Sequence, residues 1–142
     1  MTTNPPTEKV HLSIPATFGY EDMPAAVAQV WVTNMGASKE KADKAKLAVM
    51  EICLNAIEHG SGNNPANVVN IDLFEQDDTL VIEVSDTGKG FTPAIPKAFP
   101  PTQANRRGFG LFMVYKLVDA LEFSSFDKGT LVRMKIKTET TA

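Results

Sequence analysis

The stretch that decides the fold is LAVMEICLNAIEHGSG, residues 47–62. From Leu47 to Ile57 it is apolar at nearly every position, which predicts a helix buried over most of its surface. Glu51 and Asn55 interrupt this run four residues apart, so both side chains fall on one face of the helix. Because a buried polar group without a partner is destabilising, the sequence predicts a partner for this pair.

Two interpretations of the pair follow from its chemistry. In the first, Glu51 and Asn55 pair with each other or with the neighbouring backbone, as most buried polar groups do. In the second, Asn55 offers its amide oxygen to a hard cation such as Mg²⁺. Glu51 then accepts the proton of a hydroxyl or water that attacks a phosphate. The helix by itself leaves both interpretations open.

The segments on either side of this stretch define the rest of the fold. The central helix begins at Ser38 and ends near His59, and an earlier helix begins at an Asp22 cap and reaches Gly36. Alternating apolar residues predict strands at 8–14, 67–75, 79–86, 121–126 and 130–137, and a last helix follows Gly110. The polar residues Gln76-Asp77-Asp78 predict a turn that joins the strands 67–75 and 79–86 into a hairpin. This order predicts an α+β fold, a two-layer sandwich in which a mixed, mostly antiparallel sheet packs on helices.

A second group of candidate residues lies at the end of the strand 79–86. If the alternation continues, Asp86 shares the inward face of Leu80, Ile82 and Val84. A carboxylate there needs donors, supplied either by the exocyclic amine of a purine or by backbone N–H groups of the turn. Gly88 and Gly90 follow and lack side chains, so a planar ligand is able to approach the backbone closely.

A third group opens the last helix after a long loop rich in proline. Arg106, Gly108, Gly110 and Leu111 lie at this helix N-terminus, where free N–H groups and the helix dipole favour phosphate. An arginine adds bidentate contacts to phosphate oxygens. Taken by itself, this group is equally consistent with an ordinary glycine-rich turn that leads into a helix.

Composition narrows the classes of function. A net charge of -3 and a pI near 5.4 argue against a nucleic-acid binder. Cys53 is the only cysteine, which excludes an internal disulfide and indicates a buried, inert thiol. No signal peptide or membrane span is evident, so the cytoplasm is expected. We expect 1–142 to be a single domain, folded over about 8–137, with frayed tails at 1–7 and 138–142.

Taken in order, these groups resemble the Bergerat-fold (GHKL) ATP-binding superfamily, which includes gyrase and the histidine kinases. The resemblance is carried by Glu51 and Asn55 followed by AIEHG, by Asp86, Gly88 and Gly90, by Arg106, Gly108, Gly110 and Leu111, and by Gly129-Thr130. It covers about residues 8–137. Its small size and the sequence NAIEHG, residues 55–60, make the chain most similar to the anti-sigma-factor serine/threonine kinases.

The resemblance implies a role for each matching residue. Glu51 would be the general base, Asn55 the Mg²⁺ ligand and Asp86 the acceptor for the adenine amine. Gly88 and Gly90 would shape the adenine pocket, and the hydroxyl of Thr130 would help to hold adenine. Residues 91–107 would form the ATP lid, and Arg106, Gly108, Gly110 and Leu111 would lie at the phosphates.

The resemblance also implies partners. The phosphate acceptor would be a serine or threonine of a STAS-domain anti-sigma-factor antagonist, and the other partner an RNA polymerase sigma factor. Members of this branch are commonly homodimers, and one chain leaves the oligomeric state open. A non-catalytic anti-sigma module that uses ATP only to set its shape is the alternative. A detached histidine-kinase catalytic domain ranks lower, because no phospho-acceptor histidine region is evident.

Overall fold

The computed structural model describes residues 8–60, 66–86, 113–126 and 129–138. The strands are β1 (Lys9–Pro15), β2 (Val68–Gln76), β3 (Thr79–Asp86), β4 (Ala120–Phe126) and β5 (Gly129–Lys137). The helices are α1 (Asp22–Asn34) and α2 (Lys39–Asn55), and a π-helical turn over Ala56–Gly60 continues α2. Residues 113–117 are also helical. This order of elements agrees with the order that the sequence predicts.

The strands form one sheet in the order β1-β2-β3-β5-β4, and every pairing between the described strands is antiparallel. β2 and β3 form the predicted hairpin, in which Gln76 pairs with Thr79 across the turn Asp77-Asp78. Asp77 has φ of 60°, a left-handed conformation that Asp tolerates in tight hairpins. β5 lies between β3 and β4, so the last antiparallel pair, β4 and β5, joins the rest of the sheet through β5.

The helices cover one face of this sheet, and a single core lies between the two layers. The predicted alternation is confirmed in the hairpin, where the inward side chains of both strands are fully buried: Val69, Ile71, Leu73, Leu80, Ile82 and Val84. Burying an aliphatic side chain of this size contributes about 1.5–3 kcal/mol. The prediction of a two-layer α+β sandwich is therefore confirmed.

Small residues bring the two long helices together. The buried side of α1 consists of Pro24, Ala25, Ala28 and Val32, and α2 buries Ala42, Ala45 and Ala48. The larger apolar residues of α1 instead line an open groove of about 440 Å³ beside Glu8 and Glu75: Val27, Val30 and Trp31. The indole nitrogen of Trp31 donates to Glu75 across 2.7 Å there.

The start of α1 differs from the prediction. Asp22 is the first residue of the helix rather than its cap, and Glu21 occupies the cap position without a side-chain capping bond. The Glu21 carboxylate instead accepts a hydrogen bond from the Gly19 N–H at 2.6 Å. The preceding turn therefore uses the acidic side chain that would otherwise cap the helix. By contrast, Ser38 caps α2 as expected, with its hydroxyl oxygen accepting from the Lys41 N–H.

The other face of the sheet carries a row of ionisable side chains, one from each strand: His11, Asp72, Glu83, Arg133 and Glu122. Nδ1 of His11 lies 2.6 Å from a carboxylate oxygen of Asp72. Arg133 donates to Glu83 through Nε at 2.7 Å. An antiparallel sheet with one packed face and one polar face needs helices on one side only.

Candidate functional site

The site begins at the C-terminal end of α2, where the sequence places Asn55. This side chain is 2% exposed, although it is polar and lies in an otherwise apolar stretch. Its amide nitrogen donates to the main-chain carbonyl oxygen of Glu51 at 2.9 Å. Its amide oxygen, Oδ1, has no hydrogen-bond partner within the described part of the chain. Half of the Asn55 amide is therefore satisfied by the helix and half is not.

Glu51 lies one helical turn before Asn55, on the same face, and its side chain is half-buried. The carbonyl that receives the Asn55 amide belongs to the Glu51 backbone, so this bond does not involve the Glu51 carboxylate. The interpretation that the two side chains satisfy each other is therefore wrong. The backbone satisfies only the donor of Asn55 and leaves its acceptor for something else.

The helix does not end at Asn55 but widens into the π-helical turn Ala56–Gly60. Ile57 in this turn is fully buried, and the turn contacts β3. Packing of this turn against the sheet brings the polar end of α2 towards the strand that carries Asp86. Short π-helical segments occur frequently at functional sites.

The second part of the site lies where β3 ends and β5 begins. Asp86 and Thr130 are 3% and 1% exposed. The last pair between these strands joins Ser85 to Leu131, which carries Asp86 towards Thr130 along the antiparallel register. Gly129, at the start of β5, lies directly against Asp86. The expectation that Asp86 points inwards is therefore correct.

Burial separates these residues from all others in the described ranges. Within residues 8–60, 66–86, 113–126 and 129–138, the buried polar or charged side chains are Asn55, Asp86 and Thr130. Each of the three was singled out from the sequence as a binding residue. Buried polar groups need partners, so these three are the candidate site residues that the described part of the chain offers.

The remaining predicted site residues lie outside the described residues: Gly88, Gly90, Arg106, Gly108, Gly110 and Leu111. The predicted lid, 91–107, lies there too. Gly129 is a further residue of the site, for which the sequence predicts only a place in a turn and in a Gly-Thr pair. Its position immediately before Thr130, at the start of a predicted strand, is the feature of the sequence that points to a role at the site.

Cys53 is not part of the polar site although it is adjacent to it in sequence. It is completely buried, and this burial, followed by the negative charge of Glu21, raises the pKa of its thiol. A neutral buried thiol is a poor nucleophile and metal ligand. The prediction of an inert cysteine agrees with this environment.

Two further kinds of feature were sought among the described residues: a cluster of metal ligands and a membrane-spanning helix. The described residues contain no cluster of three His, Cys, Asp or Glu side chains suited to a metal ion. Magnesium does not require such a cluster, because it is commonly bound by one or two protein oxygens together with phosphate. In the same ranges, no helix has the length and apolar character needed to cross a membrane.

Comparison with known proteins identifies the fold family. Residues 14–136 match the sequence profile of the histidine kinase-like ATPase domain. The chain is 29% identical to an anti-sigma F factor of Clostridium botulinum (strain Eklund 17B / Type B), over 91% of this chain and 94% of that protein. It is 25% identical to a protein of Oceanobacillus iheyensis named serine-protein kinase RsbW, over 88% of this chain and 84% of that protein.

A solved structure supports the same fold. The RsbU and RsbW domains of a Mycobacterium tuberculosis protein match with a TM-score of 0.65 and 22% identity. The match covers 96% of this chain and 34% of that one, so the chain spans about a third of the solved protein. The predicted resemblance to the GHKL superfamily and its anti-sigma-factor kinase branch is confirmed, and the chain belongs to the histidine kinase-like ATPase domain family.

Proposed function

We propose that this chain binds Mg·ATP and transfers the γ-phosphoryl group to a serine or threonine of a partner protein, acting as an anti-sigma-factor kinase. One observation carries the proposal most directly. The buried polar side chains of the described residues, Asn55, Asp86 and Thr130, coincide with the residues expected to bind the metal and the adenine.

The unpartnered Oδ1 of Asn55 supports the metal part of the proposal. An amide oxygen is a ligand type that Mg²⁺ accepts, and this one has no competing donor in the described part of the chain. The residues present therefore fit the cation. Magnesium would neutralise charge on the phosphates, and Asn55 would hold it at the end of α2.

Glu51 is suited to the role of general base. It lies one turn from Asn55 and is half-buried, so its carboxylate remains reachable from outside the core. In the proposed transfer, the acceptor hydroxyl oxygen bonds to the γ-phosphorus while the bond from that phosphorus to the β–γ bridging oxygen breaks. The hydroxyl proton passes to Glu51, and ADP is the leaving group.

Asp86 and Thr130 form the adenine end of the proposed site. A carboxylate offers about four acceptor positions, so a protein partner of Asp86 leaves capacity for the exocyclic amine. The Thr130 hydroxyl is able to donate or accept beside it. By resemblance, Gly88 and Gly90 shape this pocket, and Arg106, Gly108, Gly110 and Leu111 approach the phosphates.

The names of the relatives support the choice of partners. Relatives of nearly the same length are named anti-sigma F factor, and another is named a serine-protein kinase. We propose a STAS-domain antagonist as the phosphate acceptor and an RNA polymerase sigma factor as the sequestered partner, both in the cytoplasm. The active form would be one domain over 1–142, either as a monomer or as a homodimer.

The test is transfer of labelled phosphate from Mg·ATP to cognate STAS proteins by the wild type, Glu51→Gln and Glu40→Gln. Glu40 is an exposed carboxylate in the first turn of the same helix and serves as the matched control. We expect Glu51→Gln to bind Mg·ATP within about threefold of the wild type and to transfer phosphate roughly 10²–10⁴ times more slowly. Glu40→Gln should behave as the wild type.

Two results would contradict the proposed kinase activity. The first is no phosphoserine or phosphothreonine on any cognate STAS protein. The second is a Glu51→Gln variant that transfers phosphate at the wild-type rate. ATP-dependent capture of a sigma factor without any transfer would instead favour the non-catalytic binding module.

A further inference from the structure

Gly129 stands closer to Asp86 than any residue with a side chain is able to. It opens β5 with φ of 151°, a backbone conformation that favours glycine. A Cβ at this position would overlap the main-chain carbonyl oxygen of Asp86. It would also lie 3.1 Å from the carbonyl carbon and 3.3 Å from Oδ1 of the Asp86 side chain.

The other described glycines with positive φ differ from Gly129. Gly19 and Gly36 have φ of 109° and 95°, but a Cβ at either would meet nothing within 4 Å. Their backbone conformation alone accounts for glycine there. Gly129 combines positive φ with a close approach to a buried carboxylate, so a methyl group would both strain its own backbone and push against Asp86.

The surroundings leave Asp86 little room to absorb such a push. Asp86 is 3% exposed and follows directly on Ser85, which is paired with Leu131 in the sheet. Thr130 follows Gly129 and is also buried. A methyl group on Gly129 would therefore move either the first residues of β5 or the end of β3. Either movement changes where the Asp86 carboxylate lies relative to Thr130.

We propose that Gly129 is a positioning residue for Asp86: its missing side chain lets β5 set the place from which the Asp86 carboxylate recognises the exocyclic amine of adenine. This inference rests on the proposed ATP-binding function. Hydrogen bonds weaken steeply as donor and acceptor leave their preferred distance and angle. A shift of Asp86 is therefore expected to weaken recognition of the amine and to spare contacts with the rest of the nucleotide.

The experiment compares two ligands, ATP and purine riboside triphosphate, which lacks the exocyclic amine. Their dissociation constants are measured by calorimetry for the wild type, Gly129→Ala and Gly36→Ala. The wild type should prefer ATP by on the order of tenfold or more, as expected for a hydrogen bond to a charged group. In Gly129→Ala the preference should fall towards one, because ATP binds more weakly while the analogue binds as before. Gly36→Ala introduces a similar backbone strain with no neighbour and should keep the preference.

The outcomes separate this inference from the proposed function. A wild type that does not distinguish the ligands would overturn the assignment of Asp86 to adenine itself. A normal preference in the wild type that persists in Gly129→Ala, or an equal loss for both ligands, would overturn the positioning role of Gly129. If Gly129→Ala fails to fold, Asp86→Glu moves the carboxylate by one methylene with Gly129 intact. An unchanged preference in Asp86→Glu would show that the position of the carboxylate is unimportant and would also overturn the proposal.

Discussion

The side-chain amide of Asn55 is tied to the main-chain carbonyl oxygen of Glu51, one turn earlier in α2, by a hydrogen bond of 2.9 Å. This bond commits the nitrogen of the amide and leaves its oxygen, Oδ1, as the atom without a protein partner in the described ranges. An oxygen is the end of the amide that a cation takes, whereas the nitrogen repels one. The helix backbone therefore leaves available to a ligand the one atom of Asn55 that the proposed Mg²⁺ site requires.

Asn55→Ala should abolish the effect of magnesium on ATP binding, because it removes the oxygen that the cation would use. In the wild type we expect Mg²⁺ to tighten ATP binding about tenfold or more, equivalent to about 1.4 kcal/mol. In the variant the dissociation constants with Mg²⁺ and with EDTA should agree within about a factor of two. Calorimetric titration measures both. Asn34→Ala, at an exposed asparagine that ends α1, is the control, and persistent magnesium dependence in Asn55→Ala would contradict the assignment.

Ser38 should contribute measurably to stability through its cap. It has φ of -67° and ψ of 161°, and its Oγ accepts from the Lys41 N–H at 3.1 Å. Ser38→Ala removes this acceptor and should lower the free energy of unfolding by about 1 kcal/mol, whereas Ser38→Gly should cost only a few tenths. Urea denaturation of both variants tests the difference. An unchanged free energy of unfolding in Ser38→Ala would show that the hydroxyl does not stabilise the helix.

The Arg133–Glu83 pair should stabilise the polar face of the sheet modestly. Nε and one terminal nitrogen of Arg133 each lie 2.7 Å from Oε2 of Glu83, and the hydrogen bond to Glu83 raises the pKa of Arg133. Because the Arg133 side chain is 40% exposed, solvent screens the interaction. A double-mutant cycle with Arg133→Met and Glu83→Gln should give a coupling of about 0.5–1 kcal/mol that shrinks at high salt. A coupling that is zero at low salt would contradict this expectation.

The buried Cys53 thiol should make stability fall at alkaline pH. An unfolded cysteine titrates near pH 8.5, and burial raises the pKa of Cys53 in the native state. Above about pH 8.5 the unfolded chain therefore loses a proton that the native protein keeps, and the linkage lowers the free energy of unfolding. Below that pH this loss is absent.

The measurement is urea denaturation between about pH 8 and 10 for the wild type and Cys53→Ala. Above about pH 8.5 the wild type should lose about 1.4 kcal/mol per pH unit more than the variant. Subtracting the variant removes the titration of lysines and tyrosines, which both proteins share. Parallel curves would mean that Cys53 ionises in the native protein as readily as in the unfolded chain.

Features governed by local periodicity were predicted correctly. Val69, Ile71 and Leu73 alternate in β2, and the hairpin to β3 turns within the predicted Gln76-Asp77-Asp78, at Asp77-Asp78. The start of α1 was predicted incorrectly, because Glu21 and Asp22 are adjacent acidic residues. Which of the two occupies the cap position depends on the preceding turn, in which the Gly19 N–H donates to the Glu21 carboxylate.

The sequence by itself indicated that Asn55 and Asp86 would be buried, since each lies in an apolar, periodic setting, and the resemblance added Thr130. Only the tertiary structure decided which atom of Asn55 is left without a partner in the described ranges and that Gly129 lies against Asp86. Both relationships depend on the exact distances between atoms that lie close together in the fold. Those at Gly129 are set by the pairing of β3 with β5, strands that are far apart in the chain, and periodicity does not encode such distances.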